Sequence, residues 1–504
     1  MNQLRQLCQK SHRLHEVDFA SYKKEIGAIE IHQLEDYLLA IHSSGIKVSN
    51  SSNSIVAYLI GITDEEPQGQ LNWKGGTVPD IDLDTPRNQR EDCLNYMRYK
   101  YGHDKVANIG TYGKFYAKSA IRKVGKALGF EVAYIDKIAK LVPDPQQGAN
   151  WSVEEAIENS KELKDLVAKD KDAKEVLKWA AKLEGVVDSR GQHAAGVVIA
   201  DNPIDELAST WEKNGASILE FTGPESEELG YVKLDLLGLK TLDVIDDAIK
   251  IINERHNIKL RAEDIPFDDP DTYKLLGSGN LMGIFQLEGA GISGFTRELK
   301  PQKFMDISLI SAGYRPGPMK FIPSILKLKR GQTPEIRPHA QRFPILQDIL
   351  SETYGFFIYQ EQIQKTVQVL AGYNDSEADE FRKTIAKKLV DKLPKERKRF
   401  TEKALEKGMT QDEVDELWME MEDFGKYCFN KSHSVAYSFL SVQTAWLKTH
   451  YPAEFYTANI LHEIDSKEQV TAIINESKKY GIRILPPDIN DSNESFTVVD
   501  DKTI

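Results

Sequence analysis

The sequence predicts an α+β chain that is predominantly helical, and three observations carry that reading. Strand-like stretches fall at 80–84, an acid–apolar alternation, and at the more apolar 194–200 and 231–236. A heavily charged segment of helical character, 151–185, lies between the first of them and the other two. From about Leu242 to Asp465 the pattern is helical almost throughout. The organisation is a strand-bearing core, interrupted by a helical insert and followed by a large helical region.

Taken in order, Leu34, Tyr37, Leu38 and Ile41 fall at 3.6-residue spacing and predict a helix in the first forty residues. Ser49-Asn50-Ser51-Ser52-Asn53-Ser54 is a small-polar loop before the apolar run Ile55 to Ile62. Gly75-Gly76 and Pro79 turn the chain into Asp80-Ile81-Asp82-Leu83-Asp84, an alternation expected of a strand. Asn108 to Gly129 is expected to form a basic amphipathic helix, and Pro143-Asp144-Pro145 marks a chain break before the charged segment. The helical region is punctuated by Arg315-Pro316-Gly317-Pro318 and by Tyr451-Pro452. Past Leu485-Pro486-Pro487-Asp488, a last short strand is expected at Phe496-Thr497-Val498-Val499.

Composition excludes several classes. Across 504 residues, 40% hydrophobic and 28% charged content rules out a disordered tail, a collagen and a porin-like barrel. No apolar run reaches the ~18 residues that cross a bilayer, and Met1 opens a polar segment, so the expected location is cytoplasmic with no membrane partner. Three scattered cysteines exclude a disulfide framework and a cysteine-rich zinc site. With 65 Lys+Arg against 78 Asp+Glu the net charge is −13, which excludes a basic coat but leaves room for a local positive channel.

On a strand Asp80, Asp82 and Asp84 share one face while Ile81 and Leu83 share the other. Crowded carboxylates repel unless cations neutralise them, and oxygen-rich ligand sets suit Mg²⁺ or Mn²⁺. The bland alternative is a solvated edge strand guarded by charge. Asp235 shifts the balance, because Val232-Lys233-Leu234-Asp235-Leu236-Leu237-Gly238 is apolar enough to be buried. Its alternative is an aspartate paired with a nearby Lys or Arg.

Ten landmarks in order resemble one family. They are Pro79-Asp80-Ile81-Asp82-Leu83-Asp84, Lys118-Ser119-Ala120-Ile121-Arg122-Lys123-Val124-Gly125, Gly191-Gln192-His193-Ala194-Ala195-Gly196-Val197-Val198-Ile199 and Val232 to Leu239. Then come Gly283-Ile284-Phe285-Gln286-Leu287-Glu288, Tyr314-Arg315-Pro316-Gly317-Pro318-Met319, Tyr359-Gln360-Glu361-Gln362 and Phe429-Asn430-Lys431-Ser432-His433-Ser434. Ala436-Tyr437 and Tyr451-Pro452-Ala453-Glu454-Phe455 complete the series. In this the chain resembles the alpha subunits of bacterial DNA polymerase III, the C-family replicative polymerases, from about Ile55 to Asn490.

The resemblance implies a palm like that of the polymerase beta nucleotidyltransferases, an inserted helical thumb and large helical fingers. The implied bounds are palm at 1–111 and 191–240, thumb at 112–190 and fingers at 241–504. It implies that Asp80, Asp82 and Asp235 are catalytic and hold two Mg²⁺ ions, with Mn²⁺ as a substitute and Asp84 in support. The family's Phe after that position is Thr85 here. Its glycine-rich phosphate loop corresponds to the shorter Ser49–Ser54, which makes Ser51 and Ser52 candidate triphosphate contacts, with a plain polar turn as the alternative. Family members also carry an N-terminal PHP domain and C-terminal duplex-binding, clamp-binding and OB parts. Their patterns are not recognisable here, as expected of a fragment, half of a split gene or a reduced viral form.

Between Lys105 and Phe130 there is no acidic residue, and Lys114, Lys118, Arg122 and Lys126 recur every four residues. The expectation is a DNA phosphate track along one helix face, beside an apolar stripe of Ala117, Ile121, Val124 and Leu128; a solvated charged face is the alternative. A second basic cluster runs from Arg382 to Lys403. There Arg382, Lys383, Lys387 and Lys388 are the functional candidates, and Lys395 to Lys403 reads as an exposed helix. Asn430, Lys431 and His433 suit a triphosphate, as does Arg315 beside its proline turn; a core histidine and a turn-anchoring arginine are the alternatives.

Two readings stay open from sequence. One is a template-directed DNA polymerase core that binds primer-template DNA and dNTPs. The other is a catalytically weak DNA-binding module that needs a second chain. A template-independent nucleotidyltransferase shares the palm chemistry but does not need such large fingers.

Overall fold

The computed structural model describes residues 7–8, 10–11, 82–144, 150–386, 392–425, 429–489 and 492–504, without the side chains of residues 82, 232 and 386. The helix expected in the first forty residues, the Ser49–Ser54 loop, the Ile55 to Ile62 run, Asp80, Lys387 and Lys388 lie outside this set. The chain forms two compact units, Met1–Leu94 with Leu236–Ile504, and Asn95–Asp235. Among the described residues it is mostly helical with one mixed sheet, in strand order β1-β6-β3-β2-β5-β4.

β1 (Asp82–Pro86) leads through a 3-10 turn into α1 (Arg90–Tyr101). Leu83, Asp84 and Thr85 are all buried, so β1 lacks the solvated face that a simple alternation gives an edge strand.

In the Asn95–Asp235 unit, β2 (Val106–Lys114) pairs antiparallel with β3 (Val187–Ile199). Between them the chain folds α2 (Ala117–Ala127), α3 (Val132–Lys140), α4 (Val153–Asn159), α5 (Lys161–Lys169) and α6 (Lys171–Leu183). Ser152, Ser160 and Asp170 accept backbone N–H bonds as N-caps, so the charged segment is three short helices rather than one. Their apolar faces meet those of α2 and α3 at Ile121, Ile138, Leu163, Val176 and Leu177. β4 (Thr210–Lys213) and β5 (Ala216–Leu219) form a hairpin whose Asn214 and Gly215 both have positive φ, as a two-residue hairpin requires. β5 runs parallel to β2, α7 (Gly223–Glu228) follows it, and β6 (Val232–Leu239) pairs antiparallel with β3.

The basic helix expected from Asn108 is corrected to strand as far as Lys114, with helix only from Ala117. Gly110 and Gly113 weaken a helix, and Ile109, Thr111 and Tyr112 suit a ladder strand. Gly110 approaches β5 so closely that a Cβ there would stand 2.3 Å from the Leu219 carbonyl oxygen.

The Leu236–Ile504 part is helical: α8 (Lys240–His256), α9 (Pro270–Ser278), α10 (Ala290–Leu299), α11 (Phe304–Gly313) and α12 (Ile322–Lys329). Then follow α13 (Gln360–Ala371), α14 (Asp375–Ala386), α15 (Leu393–Glu406), α16 (Gln411–Phe424), α17 (Lys431–His450), α18 (Pro452–Glu463) and α19 (Lys467–Ser477). Separate cores form around Phe381, Phe400 and Trp418, around Ile307, Tyr359 and Val442, and around Ile245, Phe455 and Tyr456. The strand expected at 496–499 is absent: only single bridges form nearby, and Phe496 and Val498 pack on the Phe455 core instead. Among the described residues no helix is long and apolar enough to cross a membrane.

Candidate functional site

Asp82 lies on β1 and Asp235 on β6. In register, Asp235 pairs with Gly196 of β3. Its side chain is 19% exposed, and one carboxylate oxygen, Oδ2, lies 2.9 Å from Lys233 Nζ. Side chains two apart on a strand share a face, which brings this lysine to the carboxylate. The other oxygen, Oδ1, is buried and has no hydrogen-bond partner among the described residues. Pairing with a lysine thus accounts for half of the aspartate and leaves the other half unsatisfied.

The chain on either side of these strands is tied down within its own unit. Buried Asp243 of α8 accepts the backbone N–H groups of Arg87 and Asn88, at 2.9 and 3.2 Å, just past β1. Arg90 Nε donates to the Leu236 carbonyl at 2.8 Å, the residue after Asp235. Lys233, Arg90 and Asp243 were not singled out from sequence. The Lys233-x-Asp235 spacing on a predicted strand was the available signal; Arg90 and Asp243 gave none.

A second constellation gathers in the helical unit. Phe429 bridges to Tyr359, and its carbonyl accepts the Gln360 N–H at 2.9 Å. Asn430 caps α17 by accepting the His433 N–H at 2.9 Å. His433 packs its ring between Phe429 and Tyr437, and burial, then the Arg315 charge, holds its pKa below the usual range. Arg315 lies with its guanidinium 3.7 Å from the Phe429 ring centroid, and among the described residues no carboxylate is in ion-pair range of it. Burial lowers its pKa. A half-buried cation over an aromatic face with no counter-charge is suited to receive an oxyanion.

The other predicted contacts already hold carboxylates. Lys431 Nζ lies 2.9 Å from Glu352, while its backbone N–H meets both oxygens of Glu361 at 3.0 Å. Burial raises the Glu361 pKa, against those N–H bonds and the charges of Arg382 and Lys431. Arg382 reaches Gln360 at 3.0 Å and shares Asp379 with Lys383. The structure therefore brings Arg315, Asn430, Lys431 and His433 together, with Arg382 joined through Gln360. Ser51, Ser52 and Asp80 lie outside the described residues.

The basic stripe is altered in two respects. Lys114 ends β2 and is not on the helix that carries Lys118, Arg122 and Lys126, because the helix begins only after Tyr116. Lys118 and Arg122 also have acidic partners from beyond the acid-free window, Asp144 at 3.1 Å and Asp136 at 2.8 Å. Lys126 is exposed, with no acidic partner among the described residues. Of the expected apolar stripe, Ala117, Ile121 and Val124 are buried, whereas Leu128 is 43% exposed at the helix end. Within the second basic cluster, Arg397, Arg399 and Lys403 pair with neighbouring acids, as an exposed helix does.

The family comparisons agree along the chain. Residues 2–238 match the bacterial DNA polymerase III alpha NTPase domain, and residues 241–408 match the bacterial DNA polymerase III alpha subunit finger domain. DNA polymerase III subunit alpha of Aquifex aeolicus is 38% identical over 89% of this chain and 41% of its own length. The Thermus aquaticus protein is 37% identical over 94% and 40%, and that of Bacillus subtilis 35% over 94% and 44%. The chain thus spans about two fifths of the length of the curated relatives it matches. Two consecutive domain matches and these identities place one conclusion on the described strands and helices: the chain belongs to the bacterial DNA polymerase III alpha-subunit family.

Proposed function

We propose that the chain is the polymerising portion of a template-directed DNA polymerase, acting on primer-template DNA and dNTPs. In this reading 1–111 and 191–240 form the palm, 112–190 the thumb and 241–504 the fingers. The primer 3′-hydroxyl gives up its proton to solvent as its oxygen bonds to the α-phosphorus of the dNTP, and the bond from that phosphorus to the bridging oxygen breaks to release pyrophosphate. The observation that carries the reading is the buried Oδ1 of Asp235, which has no partner among the described residues. An orphaned buried carboxylate oxygen costs about 1–3 kcal/mol unless something occupies it, and a divalent cation fits a hard oxygen donor.

Asp80, Asp82 and Asp235 would hold two Mg²⁺ ions, with Mn²⁺ able to substitute. Such ions, when bound, activate the hydroxyl and stabilise charge on the leaving oxygen. The protein supplies orientation. Lys233 fixes the second oxygen of Asp235, and Arg90 fixes the carbonyl that follows it. Arg315, Lys431 and His433 face the triphosphate, and Asn430 holds the turn that presents them, while Arg382 and Lys383 flank it and Ser51 and Ser52 complete the phosphate contacts. Neutral His433 donates a hydrogen bond and Arg315 supplies charge, so pyrophosphate departs into a site with cationic donors already placed. Lys114, Lys118, Arg122 and Lys126 track the DNA backbone.

Primer extension on a primed template, run beside Asp82→Asn, tests the reading. Template-directed extension by the wild type and none by a folded Asp82→Asn variant is the expected result. Failure of the wild type to extend, or unchanged extension by the variant, would overturn it.

A further inference from the structure

The β2–β3 ladder is interrupted at one place. Asn108 pairs with Val197 and Gly110 with Gln192, so two steps along β2 are matched by five along β3. The surplus is gathered into a bulge at residues 193–196, and bulges of this kind re-aim a strand locally. Its organising group is the His193 imidazole, whose Nδ1 accepts the backbone N–H groups of Ala195 at 3.2 Å and Gly196 at 2.6 Å. A ring nitrogen that accepts two amides carries no proton, so the ring proton is on Nε2. Space gives the same reading. A Cβ at residue 196 would stand 2.8 Å from His193 Nδ1 and 2.9 Å from Ile109 Cδ1, so a glycine is needed for the backbone to close over the ring.

Gly196 has a second duty. The β3–β6 ladder runs from Gly196 opposite Asp235 to Ile199 opposite Val232. The rung that carries Asp235 is therefore the terminal one, and terminal rungs fray unless something holds them. His193 grips that rung from the β3 side.

We propose that His193 is a positioning residue. Through Nδ1 its neutral imidazole closes the bulge, anchors Gly196, and so fixes the backbone from which the Asp235 carboxylate projects. This rests on the reading of Asp235 as a metal ligand. The role belongs to one acceptor atom, not to ring area or charge. Asparagine places an oxygen where histidine has Nδ1, whereas glutamine places its oxygen nearer the Nε2 position. The two substitutions therefore separate the two ring nitrogens.

The test compares His193→Ala, His193→Asn and His193→Gln in the full chain. Its readouts are amide hydrogen exchange at 193–199 without metal or DNA, Mn²⁺ binding by electron paramagnetic resonance, and kcat and KM in primer extension. His193→Ala and His193→Gln should speed exchange at Ala195 and Gly196 about tenfold, equivalent to about 1.4 kcal/mol. They should also weaken Mn²⁺ binding severalfold and lower kcat while leaving the dNTP KM unchanged. His193→Asn should stay near wild type in all three. In the unmutated protein, ¹⁵N-labelled histidine should show His193 with its proton on Nε2, a readout that needs no variant to fold. A proton on Nδ1, wild-type exchange in His193→Ala, or restoration by glutamine instead of asparagine would overturn the proposal. A wild type that shows the exchange pattern but extends no primer would sink the polymerase reading and leave the His193 anchor standing.

Discussion

Asp235→Asn preserves the shape of the side chain and removes one charge, so it separates the structural duty of this residue from its chemical one. The structural loss follows from the surroundings. Oδ2 lies 2.9 Å from Lys233 Nζ, with the two side chains 19% and 21% exposed. Such a pair falls between an exposed bridge, worth about 0–1 kcal/mol, and a buried one, whose breaking costs about 3–5 kcal/mol. We take about 1–2 kcal/mol, and an amide group at the unpartnered Oδ1 position adds no compensating bond. The melting temperature should fall by about 2–8 °C, at roughly 2–4 °C per kcal/mol. Simple repulsion among Asp80, Asp82 and Asp235 predicts the opposite sign, a stabilised variant; Lys233 reverses that expectation by compensating Asp235 in advance. The chemical loss is larger. If metal-supplied charge stabilisation falls by about 4 kcal/mol, incorporation slows about 10³-fold. Thermal denaturation in chelator and single-turnover primer extension read the two losses separately. Wild-type incorporation by the folded variant would refute the metal assignment, and a raised melting temperature would refute the Lys233 argument.

Arg315→Ala should raise the dNTP KM about 10-fold or more, as loss of a charged hydrogen bond of about 1.5–3 kcal/mol implies. Lys431→Ala should raise it less, because Glu352 already competes for that ammonium; equal effects, or lost DNA affinity at constant dNTP KM, would count against this. Replacing Lys118 and Arg122 together by alanine should lower the slope of log affinity against log salt by about 2, at roughly 0.9 per phosphate contact. An unchanged slope would show that Asp144 and Asp136 keep these side chains to themselves. The last expectation concerns buried Lys448, whose ammonium donates to the Asn280 and Met282 carbonyls at 2.9 Å beside Glu476, Tyr456 and Tyr480. Burial lowers its pKa to about 8 from 10.5, against the opposing pull of Glu476, so between those values the unfolded chain binds the extra proton and its contribution to stability rises with pH. Lys448→Met should flatten that rise in a denaturant titration from pH 8 to 10.

Sequence alone reached the parts of the fold that local patterns encode. The helical region from 242 to 465, the two apolar strands and the breaks at Pro316 and Pro452 follow from periodicity and from the restricted dihedral freedom of proline. It failed where tertiary pairing outweighs a local pattern. Lys114, Lys118, Arg122 and Lys126 have perfect helical spacing, yet Gly110 and Gly113 stand just before Lys114, and β3 pairs with the chain from Val106 as far as Lys114. Likewise Asp235 was legible as a buried acid in an apolar run, but only packing could show that one oxygen is taken by Lys233 and the other by none of the described residues. The acid partners of the basic residues were invisible for the same reason. Asp136 lies 14 residues from Arg122 and Glu352 far from Lys431, and no short window joins them.

Those partners change what phosphate recognition means in a chain of net charge −13. Lys118 and Arg122, Arg382 and Lys383, Lys431 and Lys233 each hold a carboxylate. Binding a phosphate at any of them is an exchange of one oxyanion for another. The exchange costs little where the pair is exposed, as at Lys118, whose partner Asp144 is 95% exposed and returns to water freely. It costs more at Lys431, where both members are at most 31% exposed and Glu352 must be rehydrated. Arg315 differs from all of these, since its half-buried guanidinium rests on Phe429 and has no carboxylate to displace among the described residues. The desolvation of that cation is already part of the folded state, so an arriving triphosphate gains the attraction without breaking a competing pair. Affinity for the nucleotide should therefore be set first at Arg315, and the paired lysines should act as a second layer that engages as their carboxylates are released.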